Sequence, residues 1–216
     1  MSMNFGREQA LLRQRLTAAG NEERIAEQQQ RFGEGLKFLG AEDAEVLAAA
    51  NDLTEQFPQM GRAQMTAFVR TLWQSKTHEL RAVGVEILAQ RAALLEPPDV
   101  PFLEDLLKDD GVPEVADKLA TDVLGLLVAG NKKVWRSLKK LANGKDAKLR
   151  RAAVLACQAP VCADASLFER FEELVTPLLD KDDAALQETI DAVLRGMADD
   201  ASEQVQAFAS EHARSL

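Results

Sequence analysis

The chain has no tyrosine, and aromatic residues make up only 5% of its 216 residues. The β-branched and aromatic residues that favour strands are sparse, whereas the strong helix formers Ala and Leu dominate. There are two cysteines, Cys157 and Cys162, five positions apart and with no histidine nearby. That is too few for a disulfide framework, and no zinc site can be assembled from them. Free thiols of this kind predict a reducing, cytoplasmic setting. No uninterrupted apolar run approaches the roughly 18–20 residues of a membrane span, so no membrane association is expected. The opening Met1-Ser2-Met3-Asn4-Phe5-Gly6 has no apolar signal stretch. No glycine-rich phosphate loop occurs. His78 and His212 are isolated from any Ser, Cys or Asp partner that the sequence can place. No triad, metal site or cofactor is therefore expected.

What the chain does have is apolar residues at three- and four-residue spacing almost throughout. Over 43–57 they are Val46, Leu47, Ala50, Leu53 and Phe57, closed by Pro58 and Gly61. Over 61–74 they are Met65, Phe68, Val69, Leu72 and Trp73, and over 77–93 Leu80, Val83, Ile87 and Leu88. Pro97-Pro98 interrupts before a short helix over 101–108. Pro113 then stands in the first turn of a helix running to about Gly130, a position that tolerates proline. Further helices are expected over 4–18, 21–38, 131–143, 146–158, 166–179, 182–198 and 201–214. Cys157 falls at the end of one of them and Cys162 in the loop that follows. Short connections imply antiparallel pairs, repeating at roughly 35–45 residues as in HEAT-type repeats. The expected fold is thus all-α, a HEAT-like helical-repeat solenoid of stacked antiparallel helix pairs, forming one domain over 1–216. A compact helical bundle is the alternative.

The formal net charge is −9, yet residues 131–151 hold nine basic residues against the single acid Asp146. These are Lys132, Lys133, Arg136, Lys139, Lys140, Lys145, Lys148, Arg150 and Arg151. A basic stripe on an acidic body is a footprint for a polyanion, although a charge run is ordinarily a solvated face. If neighbouring helices stack, the cations of 131–143 and those opening 146–158 could share one edge.

Three ordered stretches resemble the AlkD-like family of DNA alkylation repair proteins. The first runs from Leu72-Trp73 through Glu79, Arg81, Ala82, Glu86 and Leu88. The second is Pro101-Phe102-Leu103-Glu104, followed by Val115-Ala116-Asp117 and Leu124-Gly125. The third joins Leu149-Arg150-Arg151-Ala152-Ala153-Val154-Leu155 to Leu186-Gln187 and Val193-Leu194-Arg195. Together they cover about residues 30–200. The resemblance implies a HEAT-like repeat fold, duplex DNA as partner and excision of purines made cationic by alkylation at N3 or N7; a monomer is expected. Such a base is already a good leaving group, so the protein chiefly has to stabilise positive charge developing on the sugar.

Carried over onto this chain, the catalytic carboxylate falls on Asp117 and the arginine that holds the DNA backbone on Arg151. Lys148, Arg150, Lys132, Lys133 and Arg136 are the expected further DNA contacts. Pro113 and Ala192 stand where the family places tryptophans, and Lys148 where it places a third aromatic. Each missing ring removes a cation–π contact worth about 0.5–2 kcal/mol. Read without the resemblance, Asp117 is an acid near a helix N-terminus, where the dipole favours it, and Arg151 is a surface ion-pair partner. Trp73 and Trp135 read as core anchors. Besides a glycosylase, two other functions fit: a DNA-binding relative without excision chemistry, and a protein-binding scaffold.

Overall fold

In the computed structural model, residues 3–109, 111–131 and 133–214 are described. Among them every regular element is helical; the one extended contact is an isolated parallel bridge between Lys37 and Thr77. The fold is an all-α helical repeat of paired helices. The helices gather into two compact units. The described residues of Met1–Leu94 and Asp110–Val115 form one, and those of Leu95–Asp109 and Ala116–Leu216 the other.

In the first unit, α1 (Phe5–Ala19) and α2 (Glu22–Phe32) start on Asn4 and Asn21. Each asparagine side chain accepts a hydrogen bond from a backbone N–H three residues on, which satisfies one of the orphan donors of the first turn. Helix α3 (Asp43–Gln56), α4 (Arg62–Gln74) and α5 (His78–Gln90) follow, with α5 packed against both α3 and α4. Of the expected apolar positions, Val46, Ala50, Leu53, Met65, Phe68, Val69, Leu72, Leu80, Val83, Ile87 and Leu88 are buried, whereas Leu47 faces solvent at 43% exposure. Helix α2 is a correction: the spacing predicts helix over 21–38, but it stops at Phe32. Gly33 adopts φ +78°, a left-handed conformation that favours glycine and ends helices. Nothing on α2 is buried, so no apolar face holds it beyond that stop.

The second unit begins with α6 (Val100–Lys108) and continues from the end of α7 (Pro113–Lys118). Pro113 opens α7 as expected. The predicted 113–130 helix has a wider π turn at Leu119–Leu124 before α8 (Gly125–Gly130). Helices α9 (Val134–Ala142) and α10 (Ala147–Leu155) come next, and α10 packs against α6, α9, α12 (Phe168–Val175) and α13 (Ala184–Met197). The helix expected over 146–158 instead breaks after Leu155. A separate helix, α11 (Gln158–Ala163), then carries Cys162, which is therefore helical rather than in a loop. Helix α14 (Ser202–Glu211) closes the unit. Both cysteines are free; burial raises the Cys157 thiol pKa, and Cys162 is pushed up to about 11. No helix among the described residues is long and apolar enough to cross a membrane.

Candidate functional site

Asp117 lies near the end of α7, just before the π turn, and Arg151 lies in the middle of α10. Insertions of this kind recur at functional sites because they re-aim the neighbouring side chains. Asp146 caps α10, its carboxylate accepting from the N–H groups of Lys148 and Leu149 at 2.9 and 3.2 Å. That cap fixes the turn from which Arg151 projects. Leu149, Ala152, Ala153, Val154 and Leu155 on the same helix are buried.

The two side chains meet. Arg151 Nε donates to Asp117 Oδ1 at 2.9 Å, and Nη2 donates to Oδ2 at 2.6 Å. This bidentate fork is the strong form of the carboxylate–guanidinium pair. Nη1 donates to the hydroxyl of Thr189 on α13, and that hydroxyl donates in turn to the carbonyl of Ala185 at 2.7 Å. The pair is partly open to solvent, the arginine side chain being 37% exposed and the aspartate 32%. Hydrogen bonding to Asp117 raises the arginine pKa, so the guanidinium is held firmly as a cation. Thr121, one turn beyond, donates to the Asp117 carbonyl at 3.1 Å.

The expected basic contacts divide into two groups. Around α10, the Lys148 ammonium donates to the carbonyl of Lys108 at 3.3 Å while its side chain stays exposed. Arg150 donates to the carbonyls of Gly144 and Lys145 and lies 3.7 Å from Asp183, with its side chain only 15% exposed. Arg150 therefore ties α10 to the preceding loop and to the N-cap of α13. Lys133, the N-cap of α9, and Arg136 on that helix line a cleft of about 680 Å³ together with Trp135, Lys139, Glu169, Arg170 and Glu173. There Lys139 pairs with Glu173 and holds its carboxyl below the usual range. The cations at α9 thus face α12, whereas on α10 Arg151 reaches Asp117 and α13, Arg150 reaches the N-cap of α13, and Lys148 reaches the end of α6. Lys132 lies outside the described residues. Trp73 and Trp135 are buried, as the anchor reading expects.

Two residues that the sequence reading did not single out belong to this site. Thr189 is 3% exposed and supplies the third arm of the Arg151 network. Asp183 caps α13 by accepting from the Leu186 N–H at 3.1 Å and also faces Arg150. Of the expected aromatic positions, Pro113, Ala192 and Lys148 are all solvent-exposed. His212 has company the sequence does not reveal: its ring nitrogens and the carboxylates of Glu172 and Glu211 offer atoms within 4.8 Å of one another.

The all-helical repeat agrees with the sequence comparison. The chain belongs to the family of DNA alkylation repair enzymes, which it matches over residues 12–216. Its structure is similar to a solved protein described as a predicted DNA alkylation repair enzyme from Enterococcus faecalis. The similarity covers 91% of each chain, with a TM-score of 0.76 and 14% sequence identity, and it establishes the shared fold. No curated protein matches the sequence significantly. Membership of the family supports a role in DNA repair.

Proposed function

We propose that this protein is a monomeric DNA glycosylase that removes alkylated purines from duplex DNA, with Asp117 as its catalytic carboxylate. The observation that carries the reading is the direct pairing of Asp117 with Arg151. The two residues that the family resemblance singles out come from different helices and form one site. Asp117 supplies the negative field for the sugar cation, and Arg151, with exposed Lys148 beside it, takes backbone phosphate. When the glycosidic bond breaks, its electron pair leaves with the cationic base and neutralises it. Water then adds to the sugar carbon and loses its proton, leaving a free base and an abasic site. Electrostatic stabilisation of this type is a large contributor to catalysis where water is limited.

A second reading, duplex binding without excision, is favoured by the exposed Pro113 and Ala192. Neither offers a ring to the developing cation, and an open site lets water screen Asp117. A base-release assay separates the two. Duplexes carrying 7-methylguanine or 3-methyladenine should release free base with the wild-type protein and none with Asp117→Asn. Release by both proteins would remove Asp117 from the chemistry, and release by neither would leave binding without excision.

A further inference from the structure

While the pair is intact, both oxygens of the Asp117 carboxylate accept from Arg151. A developing cation nearby would meet an almost neutral pair instead of a free negative charge, since the two fields oppose one another. The arginine is not fully used. A guanidinium carries five N–H donors, and three of them go to Asp117 and Thr189. The remaining N–H on each terminal nitrogen has no acceptor among the described residues, and the side chain is 37% exposed. An incoming oxyanion can therefore touch Arg151 before the existing pair opens.

We propose that the Asp117–Arg151 pair is a resting state opened by the substrate: a backbone phosphate takes the guanidinium, and that exchange frees the carboxylate. The inference rests on the reading of Arg151 as a phosphate ligand. Thr189 acts as a positioning residue in it. Its hydroxyl keeps Nη1 anchored to α13, so the arginine can change anionic partner without leaving the site. Binding of the DNA backbone and activation of the carboxylate then become one event.

The exchange costs the protein part of its DNA affinity, because the Asp117 pair must open first. A double-mutant cycle measures that cost without any need for turnover. Equilibrium binding of the full chain would be measured at low salt to a duplex bearing a tetrahydrofuran abasic-site analogue, for wild type, D117N, R151Q and the double variant. D117N should bind about threefold to tenfold more tightly than wild type, as expected for loss of a partly exposed bidentate pair. The gain should disappear in the R151Q background.

An equal gain in both backgrounds would reduce the effect to simple repulsion between Asp117 and phosphate, and the proposal falls. Weaker binding by D117N would mean that Asp117 orients Arg151 while both hold the phosphate, which also overturns it. Should R151Q fail to fold by circular dichroism, R151K takes its place. Lysine keeps the charge but lacks the planar fork, so the D117N gain should shrink there. Duplex binding without base release by the wild type would sink the glycosylase reading while the cycle still decides the exchange. No duplex binding at all would end both.

Discussion

The Arg151 guanidinium and the Asp117 carboxylate, 34 positions apart in the chain, share two parallel hydrogen bonds of 2.9 and 2.6 Å. The geometry depends on three helices: α7 presents the carboxylate, α10 the arginine, and α13 the threonine that takes the third donor. One hydroxyl thus decides whether the arginine is tethered on one side or on two.

Thr189→Val keeps the shape of that side chain and removes the hydroxyl. Removing a hydrogen bond to a charged but partly solvated group should lower unfolding free energy by about 0.5–1.5 kcal/mol. Urea denaturation with an unchanged slope would show this as a shifted midpoint. An unshifted midpoint would mean that the hydroxyl does not hold Arg151 in solution.

A second buried polar contact sets the stability of the first unit. Glu79 is fully buried, and its carboxylate accepts from the Leu39 N–H at 2.9 Å and the Gly40 N–H at 2.8 Å. Those donors belong to a loop whose Gly40 adopts φ +74° and sits against Asn21. Glu79→Ala strands the buried Gly40 N–H and the half-buried Leu39 N–H and should cost about 2–4 kcal/mol. A loss below about 1 kcal/mol in the same urea experiment would show that water reaches the loop and replaces the carboxylate.

The sequence makes the helices legible because burial imposes a 3.6-residue period, and α3, α4 and α5 show it without interruption. Helix α2 is overextended because it buries nothing, so its end depends on the backbone of Gly33 rather than on any pattern. Asp117 and Arg151 are legible through family resemblance alone. Their pairing is not, because an ion pair between residues 34 positions apart leaves no periodic trace. Thr189 and Glu79 leave a fainter one. Each is a polar residue in register with buried neighbours, Thr189 with Leu186, Ile190 and Val193, and Glu79 with Leu80 and Val83. The division of the basic stripe is illegible, since charge alone does not tell which neighbour each helix face meets.

Protonation of His78 should weaken the first unit at acid pH. Burial is the largest influence on this imidazole and lowers its pKa below 6.5. Glu79, Asp43 and Glu114 pull the other way, and Arg24 adds slightly to the lowering. The ring lies 5.5 Å from Phe38, and Nδ1 has no hydrogen-bond partner among the described residues. Because the folded pKa is below the unfolded one, the unfolded chain takes up the proton first. The contribution to stability is therefore complete above about pH 6.5 and declines as pH falls from there towards the folded value. The slope is at most about 1.4 kcal/mol per pH unit for one proton. Thermal melts of wild type and His78→Asn from about pH 7.5 to about pH 5 should converge as pH falls. A constant gap between them would exclude His78 as the titrating group.

The two groups of cations should respond differently to charge reversal. Duplex affinity should fall with salt at a log–log slope of about −0.9 per phosphate contacted. Reversal at Arg151, which pairs with Asp117, or at Lys148, one turn before it on α10, should flatten that slope by about one unit for each phosphate no longer engaged. Reversal at Lys133 and Arg136, whose cleft holds Glu169 and Glu173 as well as Lys139 and Arg170, should flatten it less. Equal flattening from both groups would mean that the duplex tracks the whole stripe from α9 to α10.

Restoring one ring tests what limits catalysis. Ala192 is exposed on α13, one turn beyond the buried Thr189 that touches Arg151, so a larger side chain there displaces no packed group. Ala192→Trp places an indole on the helix that already anchors the site. Its π face would favour the sugar cation as charge develops, and it would shed some of the water that screens Asp117. A contribution of roughly 0.5–1.5 kcal/mol corresponds to about a twofold to tenfold faster single-turnover release of 3-methyladenine. The gain must depend on the carboxylate: Asp117→Asn combined with Ala192→Trp should release no more base than Asp117→Asn alone. Faster release in both backgrounds would show that the new ring assists independently of Asp117. An unchanged rate with Asp117 intact would mean that the absent aromatics do not limit this site.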